Sequence, residues 1–149
     1  MKNLFEDFIS TDQYFYATIA RIISGFIILP YGLLKLGFFG GVGIKGTLED
    51  FKRRKLPVVI AWLVIISQSL GSIGLIMGLL TRFAAFGAII IFTAAIFQHI
   101  KDGWMMNWYN TKKGEGVEYF FLLLGLLWIT LIYGGGAYSV DLMLHEFLY

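Results

Sequence analysis

Cysteine is absent from the 149 residues, which excludes disulfides, thiol redox relays and thiolate-held zinc or iron–sulfur centres. Histidine occurs only twice, and one histidine in a membrane span is a poor metal site, so no metal centre is expected. Charge is also scarce. Asp, Glu, Lys and Arg make up 15% of the chain against 58% hydrophobic residues, where globular proteins carry about 25% charged residues. With a mean hydropathy of +0.74, this excludes an ordinary water-soluble domain and makes the bilayer the expected solvent. Near the N-terminus no short apolar run leads to a small-residue cleavage site; Lys2 is followed by Glu6, Asp7 and Asp12. That argues against a cleaved signal peptide and for a first span that is its own anchor.

What the chain does have is long apolar runs, and the stretch Ser67 to Ala88 organises them. It holds the end of one run, a short break at Leu80-Thr81-Arg82 and the start of another. Ser67, Gly71, Gly74 and Gly78 fall on one helix face, and Gly74 to Gly78 is a GxxxG step of the kind that lets helices approach closely in lipid. The next run answers with Ala84, Ala88 and Ala95. These spacings predict a tight antiparallel transmembrane hairpin, with Ser67, Gly71, Gly74 and Gly78 as its packing surface.

The expected fold is all-α: one domain, an integral membrane four-helix bundle with a short interfacial helix between the first and second spans. The spans are placed at about Tyr14 to Leu36, Pro57 to Leu79, Phe83 to Gln98 and Val117 to Tyr133, since a crossing takes about 20 residues. Before the first span, Ser10-Thr11-Asp12 reads as a helix start. Pro30 should kink that span near its far end. After the glycine-rich GFFGGVGIKG, Thr47 and Asp50 have capping-box-like spacing for a helix TLEDFKRRKL that Pro57 stops. Its Lys52, Arg53, Arg54 and Lys55 form a basic patch suited to anionic lipid headgroups rather than nucleic acid. Trp104, Trp108 and Tyr109 sit where an interfacial aromatic belt would fall, and the C-terminal SVDLMLHEFLY has an apolar side that suits the interface. The links after the first and third spans hold Lys45, Lys52, Arg53, Arg54, Lys55, Lys101, Lys112 and Lys113, and the opposite side only Lys2 and Arg82. The positive-inside rule then puts both termini outside the cytoplasm of a multi-pass protein, expected in the bacterial inner membrane.

Polar groups inside spans are costly, about 2.5–3.5 kcal/mol for a charge at mid-bilayer, and normally face the bundle interior. At 1.5 Å rise per residue, Arg21 lies roughly 10 Å and Gln68 roughly 16 Å from the same side. An arginine side chain spans that difference, so an Arg21–Gln68 hydrogen bond is feasible. The guanidinium charge still needs another partner: a carbonyl, water, Asp141 or an anionic ligand. A second group gathers toward the other face, with Tyr31 and Lys35 late in the first span, His99 ending the third, Glu118 and Tyr119 opening the fourth, and Trp104 nearby. Glu118 suits a positive helix end, and a His99–Glu118 pair would exchange a proton near neutral pH. The bland alternative is that these are belt and snorkelling residues.

Taken together, Ala20-Arg21-Ile22, Gly25, Gly32 and Lys35, GLLTRFAA from Gly78, His99 with Asp102-Gly103-Trp104 and Asn107-Trp108, GEGVEY from Gly114 and GGGAYSVD from Gly134 resemble the DoxX family of small four-span membrane proteins. The resemblance implies a four-helix membrane bundle loosely associated with oxidoreductase systems, some relatives being linked to a thiosulfate:quinone oxidoreductase. Many relatives carry glutamate where Gln68 stands and histidine where Tyr31 stands.

Three functions follow as expectations. The first is a membrane component that binds a quinone-like or other small amphipathic ligand between its helices. No motif encodes such a cofactor, and a partner would supply the electron carrier. The second is a non-catalytic structural or assembly subunit of a larger membrane complex, and the third a small-molecule or lipid transporter using Arg21 as an anion hook. Expected partners are membrane lipids and other membrane chains or further copies of this one, with no nucleic acid.

Overall fold

The computed structural model describes residues 14–110 and 114–148. The helix start expected at Ser10-Thr11-Asp12 and the cations Lys2, Lys112 and Lys113 lie outside them. Among the described residues six helices succeed one another: α1 Phe15–Leu36, α2 Gly43–Arg53, α3 Val58–Met77, α4 Thr81–His99, α5 Glu118–Tyr133 and α6 Val140–Leu148. No strand occurs among the described residues. Of these helices, α1, α3 and α4 with its 3-10 extension to Asp102 are long and apolar enough to cross a membrane. With 16 residues, α5 is about 24 Å long at 1.5 Å per residue, short of a hydrocarbon core of about 30 Å. The fold established by helix length is therefore all-helical with three membrane-length helices.

The exterior is apolar and the interior is where the polar groups sit. Phe15, Phe26, Leu63, Leu70, Phe83, Phe97 and Leu122 are all more than half exposed. By contrast Thr18, Arg21, Ser24, Ser69, Ser72, Thr81, Thr130 and Asp141 are buried. This inversion of the water-soluble pattern suits a lipid surround, where only internal partners satisfy polar groups. Between the polar layers lies a core of Ile28, Leu75, Ala85, Ala88, Ile89, Phe92, Leu123 and Leu127. It joins α1, α3, α4 and α5.

The tight helix contact is between α1 and α3, not within the α3–α4 hairpin. A Cβ on Gly25 would lie 2.9 Å from the Ser72 carbonyl oxygen, and one on Gly32 would overlap the Gln68 carbonyl. These two glycines, seven residues apart on one face, let the backbones touch. Ser67, Gly71 and Gly74 instead line an apolar groove of about 370 Å³ between α3 and α4. Ala84 comes only as near as 3.9 Å to a Cβ built on Gly74. Helical spacing marks a small-residue face, but it does not say which neighbour the face meets. Gly78 acts differently from the other three: it ends α3 with φ 74°, and a Cβ there would strike Ser139 and the Arg21 guanidinium.

One local reading also changes, while α1 stays helical through Pro30. The interfacial helix starts at Gly43, one turn before Thr47, whose hydroxyl donates back to the Gly43 carbonyl at 2.8 Å instead of capping; mid-helix threonines commonly bond this way. Asp50 pairs with Arg54 at 2.9 Å. Arg54 also donates to Gln98 Oε1 at 3.1 Å, tying α2 to the end of α4.

Gly32→Ala should lower stability by about 1–3 kcal/mol, the usual cost of overpacking, read as an earlier melt in detergent. Gly125→Ala, where nothing lies within 4 Å of the Cβ position, should leave the melt no lower, since alanine is the better helix former.

Candidate functional site

The two polar groups expected from the sequence occupy opposite ends of the molecule, and they do different things. At the α3–α4 turn, Arg21 is 1% exposed and spends its donors on backbone. Its Nε donates to the Gly135 carbonyl at 2.6 Å, Nη1 to those of Leu75 at 2.9 Å and Ile76 at 2.5 Å, and Nη2 to that of Tyr138 at 3.0 Å. Gln68 is not a partner. Helix side chains lean toward the helix N-terminus, which for α1 lies on the turn side. Arg21 therefore reaches the last turn of α3, about 11 Å beyond Gln68 along that helix.

Asp141, also 1% exposed, supplies the opposite charge without direct contact. Its two oxygens accept from the Leu80 and Thr81 amides at 2.7 and 2.8 Å, capping α4. The cation thus sits on the carbonyl end of one helix and the anion on the amide end of the next, each matching the local helix dipole. Four of the five guanidinium donors are held inside the protein, so Arg21 is built as a fastening.

At the other end, a cavity of about 290 Å³ gathers Tyr31 from α1, Gln68 from α3, His99 from α4 and Tyr119 from α5. Phe92, Ala95 and Phe120 furnish its apolar wall, and Met106, Glu115 and Gly116 close it from the α4–α5 connection. Gln68 reaches it through a break in α3's regularity. Ser67 to Gly71 form a π-helical turn, a widened turn that often marks functional positions. The Ser72 hydroxyl lies 2.7 Å from both the Gln68 and Ser69 carbonyl oxygens, and Ser69 donates to the Ile65 carbonyl at 2.6 Å. Gly32 leaves room for the widened backbone.

Gln68 Oε1 is buried with no hydrogen-bond partner, and the Tyr119 hydroxyl is buried against that of Tyr31, the two rings 6.4 Å apart between centroids. A buried unpaired polar atom costs about 1–3 kcal/mol, so Gln68 carries an unmet acceptor in the side chain that lines the cavity.

His99 stacks on Phe120 at 5.5 Å, and its Nδ1 lies 3.1 Å from Asp102 Oδ2. The expected His99–Glu118 pair does not form, because Glu118 Oε2 is turned to the Met106 amide at 3.4 Å. Trp104 lies against Phe121, 5.1 Å between centroids and 57% exposed. Glu118, Trp104, Lys35 and Arg21 are all outside the cavity lining. Sequence reading missed Asp102, Glu115 and the π turn. The signals were present as the i, i+3 spacing of His99 and Asp102 and the serines Ser67, Ser69 and Ser72 inside an apolar run. Among the described residues no three His, Asp or Glu side chains are grouped to hold a metal ion.

The DoxX family model matches residues 16–100. The chain belongs to the DoxX family. No curated protein and no solved structure matches it. The matched stretch runs from the start of α1 to the end of α4 and includes Arg21, Tyr31, Gln68 and His99. The DGW, GEGVEY and GGGAYSVD motifs lie beyond it.

Arg21→Met should cost roughly 3–5 kcal/mol, because Asp141 is left as a buried charge with no opposite charge nearby, and Asp141→Asn should also destabilise. Detergent melts of the two variants check this; unshifted melts would remove the fastening role.

Proposed function

We propose that this DoxX-family protein is a four-span membrane component that holds a small ring-bearing amphipathic molecule of the quinone type, and that it serves an oxidoreductase system whose electron carrier lies in another chain. The observation that carries the reading is the convergence of Tyr31, Gln68, His99 and Tyr119 from four helices on a cavity walled by aromatic rings. A ring offers its face to Tyr31 and Phe120 and its oxygens to the polar side chains of Gln68, His99 and Tyr119. At about 290 Å³ the cavity is at the small end of ligand sites, about 300–1,000 Å³, which suits a single ring with any tail running out into lipid.

Four crossings are supported by where α5 begins and ends. The Glu118 amide donates to the Trp104 carbonyl at 3.0 Å beside the α4 exit, and Gly135, just past the helix, accepts from Arg21 at the opposite end. A 16-residue span is accommodated by local thinning of the bilayer. The basic end formed by α2 and the α4–α5 connection then faces the cytoplasm of a bacterial inner membrane, with both termini outside. An alkaline phosphatase fusion at the C-terminus should therefore be active and a cytoplasmic reporter there inactive; the reverse pattern would overturn this orientation. A second reading, a structural or assembly subunit, is favoured by the groove of about 370 Å³ along Ser67, Gly71 and Gly74, which has the small-residue character of a helix docking surface.

Protein purified in mild detergent should carry an extractable molecule with redox-sensitive ultraviolet absorbance. Gln68→Leu and Tyr119→Phe should each reduce its retention about tenfold, the effect of losing one buried hydrogen bond, with melts preserved. Full retention in both variants would dismiss the cavity as its site, and stoichiometric partner chains without such a molecule would favour the second reading.

A further inference from the structure

We infer that the exposed face and end of α2 form a docking surface for anionic phospholipid headgroups, with Lys52, Arg53 and Lys55 as its principal cations and Lys45 extending it. These residues lie outside the cavity lining, so the surface stands whether or not a ligand binds there.

The helical period divides α2 into two sides. Ile44, Leu48 and Phe51 are half-buried and Thr47 is buried, in a helix that packs on α1 and α3. Lys45, Lys52 and Arg53 are exposed on the other side. Arg54 is engaged, paired with Asp50 at 2.9 Å and donating to Gln98. Among the described residues no such ion pair holds Lys45, Lys52, Arg53 or Lys55, and Glu49, also exposed, leaves the surface net positive. Lys55 follows the helix with φ 58°, a left-handed conformation that costs a residue with a Cβ about 1–2 kcal/mol and that glycine normally fills. A cation thus occupies a position whose backbone favours glycine. What points to lipid rather than a soluble anion is depth. Phe39 and Val42, just before α2, are 84% and 71% exposed, and Val58 and Val59, opening α3, are exposed as well. Apolar side chains bared on both sides of a cationic segment belong at the bilayer boundary, where stems sit against hydrocarbon and charges reach headgroups. Three residues separate Lys55 from Val58, at most about 11 Å of chain, near the Debye length of about 8 Å at physiological salt. The cations therefore feel the charge of the leaflet itself. Arg53 brings a planar fork suited to two phosphate oxygens, and the lysines bring point charges.

Full-length protein in uncharged detergent is mixed with equal amounts of phosphatidylglycerol and phosphatidylcholine of the same acyl chains, and the lipids retained after washing are quantified by mass spectrometry. Phosphatidylglycerol should be retained at least about tenfold over phosphatidylcholine at about 0.01 M salt. The ratio should fall toward one at about 1 M, where the Debye length shrinks from about 30 Å to about 3 Å. Lys52→Gln, Arg53→Gln and Lys55→Gln combined should bring the low-salt ratio close to one without moving the melt. Lys52→Gln and Lys55→Gln singly should each lower it severalfold, which keeps the test open if the combined variant fails to fold. Equal retention of the two lipids by the unmodified protein, or an unchanged ratio in the folded variants, overturns the inference and leaves the cations a topology signal. Displacement of phosphatidylglycerol by inorganic phosphate at matched ionic strength would make this a site for soluble anions and overturn the lipid assignment.

Discussion

The structure depends on one buried cation. Arg21 has left water for an apolar surround, which is tolerable only because backbone carbonyls from three segments meet it: the last turn of α3, Gly135 and Tyr138. Those carbonyls would otherwise be unpaired at a helix end and in an irregular loop, the two kinds of backbone that lipid penalises most. One side chain therefore resolves several unmet acceptors, and Asp141 answers its charge while capping α4. The ends of α1, α3, α4 and the segment leading into α6 are fixed in one knot.

Fixing that end determines what happens at the other. With α1 held against the last turn of α3, Gly25 and Gly32 bring the two backbones together along their length. The Gly32 contact falls on the widened turn of α3, where Gln68 departs from regular helical geometry. Gln68 is thereby held in a cavity it shares with Tyr31, His99 and Tyr119. The Arg21 end is a dense set of hydrogen bonds to backbone, and the other end holds the cavity lined by Tyr31, Gln68, His99 and Tyr119.

Much of this was legible in the residues. The apolar runs gave the helices, and the cost of a charge in a span pointed Arg21 inward, where backbone carbonyls hold it and Asp141 lies near without direct contact. Tyr31, Gln68, His99 and Tyr119 were candidates and do meet, while Lys35, Trp104 and Glu118 stand outside the cavity. The failures share a cause: one-dimensional spacing does not specify a partner. The Ser67, Gly71, Gly74 face met a groove because Gly25 and Gly32 on α1 competed for closeness to α3. Arg21 missed Gln68 because side-chain lean adds a direction that depth along the helix omits. His99 chose Asp102, three residues on, because Glu118 was already engaged with the Met106 amide. The π turn had only a cluster of serines to announce it.

The most direct test of this account is an experimental structure of the protein taken from its native membrane in mild detergent. The account predicts ring-shaped density between Tyr31, Gln68, His99 and Tyr119, with a polar atom in hydrogen-bonding reach of Gln68 or Tyr119. A collapsed cavity in which Gln68 and Tyr119 bond to each other, or one filled only by a lipid tail, would contradict it.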